Sequence, residues 1–82
     1  MFIHLGGDTL VKSDEIIAII SLENPNCINS VKEMIKSFEA TGKIVKIDNK
    51  EYKSIIITDS KLYMSQISTL TLKKRAGFIN SL

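Results

Sequence analysis

The sequence predicts a small α+β fold with the element order β-β-β-α-β-β-β-α, in which one central helix packs on a mostly antiparallel sheet. Three observations predict it. Eighty-two residues make a single domain, residues 1–82. Short apolar runs rich in β-branched residues alternate with turn-forming residues, as strands do. One longer segment, near residues 29–41, has the apolar spacing of an amphipathic helix and separates two groups of strands.

The first two strands are predicted to form a hairpin. Apolar runs at Phe2–Leu5 and Thr9–Val11 flank Gly6-Gly7-Asp8, three residues typical of a turn. Residues 13–15 are polar and break the pattern, and Ile16–Ile20 follows. Because this run is too short and too β-branched for an amphipathic helix, we predict a buried third strand there.

The central helix is predicted to begin at Asn29 or Ser30, after a loop that contains Pro25. Ser30 and Glu33 have the spacing of a capping box, in which the two side chains bind free amides of the first turn. Gly42 is expected to end the helix because glycine readily adopts the left-handed conformation. Four apolar residues form one stripe at helical spacing: Val31, Met34, Ile35 and Phe38.

Three further strands are predicted after the helix. Residues 43–47 and 52–58 would be joined by a hairpin turn at 48–51. Asp59-Ser60 is typical of a two-residue turn into the last strand, residues 61–65. Since these strands follow one another without crossover helices, the sheet is expected to be largely antiparallel.

A short final helix is predicted over residues 69–79, with Leu72, Ala76 and Ile79 on one side. Lys73-Lys74-Arg75 lies near its C-terminus, where cations interact favourably with the negative end of the helix dipole.

The residues needed for catalysis or metal binding do not form a recognisable pattern. One cysteine, Cys27, and one histidine, His4, provide neither an internal disulfide nor a zinc site. His4 is expected to pack or hydrogen-bond in its strand, and Cys27 to be inert. Gly6-Gly7-Asp8 lacks the spacing of known phosphate-binding loops. We therefore predict a protein that binds rather than an enzyme, without a cofactor, a metal or a small-molecule substrate.

The charges are unevenly placed along the chain. Residues 1–41 hold three lysines and six acids, a net −3, whereas residues 42–82 hold eight cations and three acids, a net +5. Such asymmetry is typical of a basic face that binds an anion, commonly nucleic acid, although a solvated surface is the plain alternative. Six cations are the candidate phosphate contacts: Lys46, Lys50, Lys53, Lys73, Lys74 and Arg75.

Length and composition also bear on location and assembly. The N-terminus lacks a cationic start and an apolar stretch of signal-peptide length, and the longest apolar run is too short to span a bilayer. We therefore expect a cytoplasmic protein without a membrane partner. Because a chain of this size has a small core and neither a disulfide nor a metal, self-association is the expected source of extra stability.

Three stretches resemble, in order and spacing, the RemB branch of the bacterial extracellular matrix regulator family. They are Met1–Asp8, Lys53–Asp59 and Thr71–Ala76, and the resemblance covers nearly the whole chain. It implies a small cytoplasmic protein with a fold related to LytTR-type DNA-binding domains. Proteins of the related RemA branch regulate biofilm-matrix genes and assemble into rings that present a basic rim to DNA.

The sequence departs from the RemA branch at positions that matter for DNA. RemA-type proteins carry two arginines in the turn before the isoleucine-rich strand, where this chain has Lys50 and Glu51. They carry another arginine before the third strand, about where Glu15 stands. The resemblance therefore implies fold and self-association more strongly than it implies DNA binding.

Two functions follow as hypotheses. The first is a homo-oligomeric, DNA-binding transcriptional regulator of biofilm-matrix genes whose basic rim contacts phosphates. The second is a protein-interaction module that self-associates or binds a RemA-type partner without binding DNA, its lysines serving solubility.

Overall fold

The computed structural model describes residues 1–23, 28–48 and 51–77, with the side chain of Ile28 left out. A 3-10 turn at Ser13–Glu15, which the sequence pattern did not predict, links the second and third strands. The strands are β1 Phe2–Gly6, β2 Thr9–Lys12, β3 Ile16–Ser21, β4 Ile44–Lys46, β5 Ser54–Thr58 and β6 Leu62–Ser65, and the helices are α1 Ile28–Ala40 and α2 Thr69–Arg75.

The strands form two sheets, so the α+β class is confirmed and the single sheet expected from the sequence is wrong. β1 and β2 pair only with each other, as the predicted hairpin, and the remaining four strands are ordered β3-β5-β6-β4. The β3–β5 and β5–β6 pairs are antiparallel, whereas β4 and β6 are parallel.

The predicted hairpin between residues 43–47 and 52–58 is also wrong. β5 has β3 on one side and β6 on the other, and the short turn at Asp59-Ser60 makes the β5–β6 pair local. β4 therefore pairs with the free side of β6, and the connection after β4 crosses the end of β6 to reach β5.

The four-stranded sheet is covered on both faces. Ile55 and Leu62 are fully buried in a core with α1, to which Val31 contributes. Ile56, one residue further along β5, is buried in a second core with the hairpin and α2. Ile55-Ile56-Ile57 is apolar throughout because successive side chains of a strand point to opposite faces, and both faces are covered here.

β3 is a half-buried edge strand rather than the buried strand predicted from Ile16–Ile20. Its pairing with β5 shifts by one residue between Ile16 and Ala18, which leaves Ile17 as the extra residue of a bulge. The Ile17 side chain is 68% exposed. An apolar run therefore marked the strand correctly but did not reveal its place in the sheet.

α1 presents the predicted apolar stripe to the sheet, because Val31 is buried and Met34, Ile35 and Phe38 pack around the same core. The predicted capping box is wrong, since the helix already begins at Ile28 and Ser30 lies inside its first turn. The helix ends as predicted: Gly42 has φ 69° and its amide donates to the Glu39 carbonyl oxygen.

α2 is shorter than predicted. It ends at Arg75, with Ala76 as its C-cap, and Gly77 has φ 78°, a conformation that ends a helix. Leu72 is fully buried and Ala76 packs against the same core, as the sequence suggested. Ile79 lies outside the described residues.

Candidate nucleic-acid interface

The candidate phosphate contacts fall into two groups in the fold. One group lies on α2 and the other at the end of the four-stranded sheet, and Lys50 lies outside the described residues. The five described members are all exposed: Lys46, Lys53, Lys73, Lys74 and Arg75.

α2 holds its lysines in place through an apolar anchor and an N-terminal cap. Leu72 is fully buried, and removing such a side chain from water contributes about 1.5–3 kcal/mol. The Ser68 hydroxyl oxygen accepts a hydrogen bond from the Thr71 amide at 3.3 Å. With Leu72 facing the core, the following Lys73 and Lys74 lie on the exposed side of the last turn.

Arg75 is partly committed to a contact within the protein. Its Nη1 donates a hydrogen bond of 2.8 Å to the carbonyl oxygen of His4 in β1. Opposite residues in an antiparallel pair alternate between pairs that exchange backbone hydrogen bonds and pairs that do not. Phe2–Lys12 and His4–Leu10 are pairs of one kind, and Ile3–Val11 between them is of the other kind. The Ser13 amide donates to the Met1 carbonyl oxygen, so Met1–Ser13 and Ile3–Val11 are the hydrogen-bonded pairs. The His4 carbonyl therefore points away from β2, toward α2. Arg75 thus ties α2 to the free edge of β1.

His4 has the hydrogen-bonding role predicted for it. Its ring Nε2 lies 2.6 Å from the Gly7 carbonyl oxygen, so this nitrogen carries the proton and donates across the hairpin turn. Cys27 lies outside the described residues.

The second group stands at the end of the sheet where β4 and β6 finish and β5 begins. Lys46 follows Ile44 by two residues and Lys53 precedes Ile55 by two, so both lysines lie on the face that α1 covers. Ideal strand spacings place their Cα atoms about 12 Å apart. The Lys53 backbone is fixed on both sides, because its amide donates to the Ser65 carbonyl oxygen at 2.8 Å and its own carbonyl oxygen accepts from Leu22 at 2.9 Å.

This end of the sheet is not strongly basic. Asp48 lies two residues after the end of β4 and accepts a hydrogen bond at its carbonyl oxygen from the Tyr52 hydroxyl. Glu23 and Glu51 are exposed close to Lys53 in the chain or in the sheet. These acids offset the charge of the two described lysines. α2, in contrast, contains no acidic residue.

The two groups do not form one patch on a single protomer. α2 belongs to the layer that the hairpin forms on one face of the sheet, whereas Lys46 and Lys53 lie toward α1 on the other face. The sequence could show the charges and their asymmetry. It could not show this separation, which depends on which strands are neighbours.

Two polar side chains near these groups carried no sequence signal. Within the described residues, the buried Nε2 of Gln66, between β6 and α2, has no hydrogen-bond partner. Tyr63 in β6 packs against the core under the hairpin, and this burial raises the pKa of its hydroxyl. The negative charge of Glu15 raises that pKa further.

Neither a metal site nor a membrane-spanning helix is found in the part of the chain that the structure describes. No three side chains of the metal-binding types come together there. Neither α1 nor α2 combines the length and the apolar character needed to cross a bilayer.

Comparison with known proteins identifies the family. Residues 2–76 match the model of the RemA-like family, described as Extracellular matrix regulatory protein A-like. The chain is also 38% identical over 79 residues to Extracellular matrix regulatory protein B of Bacillus subtilis (strain 168), covering 96% of this chain and 94% of that relative. Both names denote regulators rather than enzymes. The chain therefore belongs to the RemA-like family, as its resemblance to the RemB branch predicted.

Proposed function

We propose that this chain is a homo-oligomeric transcriptional regulator that binds DNA through phosphate contacts and controls genes of the biofilm matrix. Its family membership supports a role in regulation of the extracellular matrix. A relation of its fold to LytTR-type DNA-binding domains and a cytoplasmic location remain predictions from the resemblance.

The observation that carries the proposal is the geometry of α2. Lys73 and Lys74 are adjacent, exposed and held on a helix that contains no acid, while Leu72 and the Ser68 cap fix the helix to the protein. Lysine neutralises a phosphate as a point charge, so these residues would position DNA without reading its bases.

The remaining candidates complete the proposed contact set. Arg75 has five N–H donors, and its Nη1 donates to the His4 carbonyl oxygen, which leaves other N–H groups of the guanidinium for phosphate. Lys46 and Lys53 form the second set, on the other face of the sheet, and Lys50, which lies outside the described residues, stays a prediction from the sequence.

Assembly is part of this proposal because one protomer is a weak polyanion ligand. The net charge of the chain is only +2. Several copies of α2 on one particle would bind DNA together, because the first contact raises the effective concentration of the others.

The experiment is a salt titration of binding to a labelled DNA duplex, followed by fluorescence anisotropy. In the double variant Lys73→Gln/Lys74→Gln we expect weaker binding at every salt concentration. The slope of log K against log salt should become shallower by about 0.9 for each phosphate that is no longer neutralised. Measuring both affinity and slope distinguishes the removal of a phosphate interaction from a general decrease in folded protein.

The matched control is Lys32→Gln/Lys36→Gln, which removes the same charge from two exposed positions on α1. It should keep the affinity and slope of the unmodified protein to within a small factor. Equal weakening in the two double variants would show that only net charge matters and would refute α2 as the contact element.

One observation favours the alternative, a protein-interaction module that self-associates or binds a RemA-type partner. The outer face of the hairpin carries Phe2 and Leu10, with exposed fractions of 63% and 58%. Exposed apolar side chains in neighbouring positions are typical of protein contact surfaces. Absence of any salt-dependent DNA binding in the titration, with assembly intact, would favour this second function.

A further inference from the structure

We propose that copies of this chain join head to tail, with the β3 edge of one protomer pairing with the β4 edge of the next. This inference specifies the surfaces of the homo-oligomer in the proposed function and does not depend on whether the oligomer binds DNA.

The two edges of the four-stranded sheet provide the surfaces. β3 and β4 are its outer strands, and each has a neighbouring strand on one side only. The outer side of an edge strand presents backbone amides and carbonyls that can pair with another strand. β3 is six residues long, and Ile17 on its bulge is 68% exposed. A strand paired at this edge would place its own side chains beside Ile17 and reduce that exposure.

The charges on the two edges are opposite. Residues 13–23, which contain β3, include three acids and no cation: Asp14, Glu15 and Glu23. β4 carries Lys46 at its end and Lys43 just before its start, and both side chains are exposed. Exposed Lys12 precedes the acidic segment and exposed Asp48 follows Lys46, so residues 12–23 carry a net −2 and residues 43–48 a net +1. The edges of two copies therefore still have opposite net charge.

The strand levels place Lys43 close to the level of Glu15, whereas Lys46 and Glu23 are three residues apart along the strands. The Thr58 amide donates to the Lys61 carbonyl oxygen, and the Leu62 amide donates to the Lys43 carbonyl oxygen, each at 2.9 Å. Since Ile16 pairs with Thr58, Lys43 stands at the level of Ile16, one residue from Glu15.

The other end of the joint follows from the same pairings. Lys46 is level with Met64, Met64 pairs with Ile55, and Ile55 pairs with Ile20, three residues before Glu23. β3 and β4 also run in the same direction. If a second copy continues the sheet of the first without a shift along the strands, its β4 pairs with β3 of the first in parallel. Lys43 of the second copy then lies beside Glu15 of the first, and Lys46 lies toward Glu23.

The same charges disfavour symmetric joints. Two antiparallel β3 edges would bring Glu15 of one copy toward Glu23 of the other, and two β4 edges would bring lysines together. Like charges on neighbouring strands are destabilising. A head-to-tail joint leaves one edge of each kind free, so it continues until the chain of protomers closes into a ring or grows as a filament.

The test uses two charge-reversed variants and measurement of mass in solution without DNA. Lys43→Glu/Lys46→Glu makes both edges acidic, and Asp14→Lys/Glu15→Lys makes both edges predominantly basic. Each variant alone should lose assembly and run near the single-chain mass of 9.2 kDa. An equimolar mixture should regain assembly, because every joint in an alternating particle is again complementary. Recovery on mixing also shows that each variant is folded.

Matched controls reverse the same number of charges on exposed positions of α1. They are Lys32→Glu/Lys36→Glu and Glu33→Lys/Glu39→Lys, and both should assemble like the unmodified protein. Lys46 takes part in this joint as well as in the proposed phosphate set, and the DNA titration leaves it unchanged, so the two tests stay separate.

Three outcomes would overturn the inference. Assembly of Lys43→Glu/Lys46→Glu alone would indicate a symmetric β3 joint or another surface, with the homo-oligomer itself intact. Two non-assembling variants that stay apart on mixing would also refute the joint. A single-chain mass for the unmodified protein at every concentration would refute both this inference and the homo-oligomeric part of the proposed function.

Discussion

Tyr63 shows how one residue couples stability to pH. It is half-buried in the core between the hairpin and the sheet, so ionisation of its hydroxyl would place a negative charge in an apolar region. Burial raises the pKa of Tyr63 above its ordinary value of 10.0, and the carboxylate of Glu15 adds to the shift. The neutral phenol is therefore favoured more strongly in the folded protein than in the unfolded chain.

We expect Tyr63→Phe to reduce the loss of stability at alkaline pH. Because the folded pKa is the higher one, the contribution of Tyr63 is fully present below the unfolded pKa and disappears as pH rises through the folded pKa. Urea unfolding between about pH 8 and pH 11 measures this change as a shallower decline of the unfolding free energy in the variant.

The control for this prediction is Tyr52→Phe, which removes the other tyrosine hydroxyl and leaves Tyr63 in place. It should keep the part of the alkaline decline that is due to Tyr63. A decline in Tyr63→Phe as steep as that in Tyr52→Phe would contradict the role given to Tyr63.

At the scale of the element, α2 depends on its ends. A helix of seven residues is too short to be stable in isolation, so its cap and its buried Leu72 hold it in place. The Ser68 hydroxyl oxygen accepts from the Thr71 amide, which would otherwise be an unpaired donor at the first turn. The same cap therefore fixes the orientation of the lysines proposed to contact DNA.

We expect Ser68→Ala to lower the free energy of unfolding by about 1 kcal/mol, the usual effect of removing an N-cap hydroxyl. Chemical denaturation measures the change. Ser30→Ala is a sharp comparison, because the sequence pattern predicts a cap there and the structure places Ser30 inside α1. Its expected change is below about 0.5 kcal/mol. A loss of stability at Ser30 as large as that at Ser68 would contradict the observed start of α1.

Elements fixed by neighbours in the chain could be predicted from the sequence. The first hairpin follows from Gly6-Gly7-Asp8 between two apolar runs, and the apolar face of α1 follows from its helical spacing. The charge of α2 in the candidate interface was predictable to the same degree, because it lies in three consecutive residues, whereas DNA contact by these residues stays a prediction. The link from Arg75 to His4 joins residues 71 positions apart and has no local pattern.

At the scale of the whole molecule, buried hydroxyls join the two sheets. The fully buried Ser65 at the end of β6 donates to the Leu5 carbonyl oxygen of β1 at 2.6 Å. Its oxygen accepts from the Ile67 amide at 3.0 Å. Ser54, the neighbour of Ser65 in the sheet, donates to the Ile67 carbonyl oxygen. This network connects the hairpin, the four-stranded sheet and the segment that leads into α2.

We expect Ser65→Ala to lower the free energy of unfolding by about 1–3 kcal/mol, because the buried Leu5 carbonyl and the partly buried Ile67 amide lose their partner. Ser37→Ala, at an exposed position of α1, should change it by less than about 0.5 kcal/mol. Urea denaturation of both variants measures the difference. A Ser65 variant as stable as the Ser37 variant would show that the sheets are held by apolar packing alone.

The order of the strands in the four-stranded sheet could not be predicted from the sequence. Each apolar run was recognised as a strand, but β4 follows α1 and pairs beyond the next strand in the chain, with β6. The exposure of Ile17 likewise depends on β3 standing at an edge. Such pairings depend on competition among several apolar segments for the same partner strand. The spacing of apolar residues within one segment does not determine the outcome.

The double covering of β5 has a consequence for how this family can change over evolutionary time. Every residue of Ile55-Ile56-Ile57 faces a packed layer, so substitutions there disturb one core or the other. The outer strands and α2, in contrast, carry their charges at solvent. Substitutions at the exposed lysines of α2 can therefore change what a related chain binds while both cores stay the same.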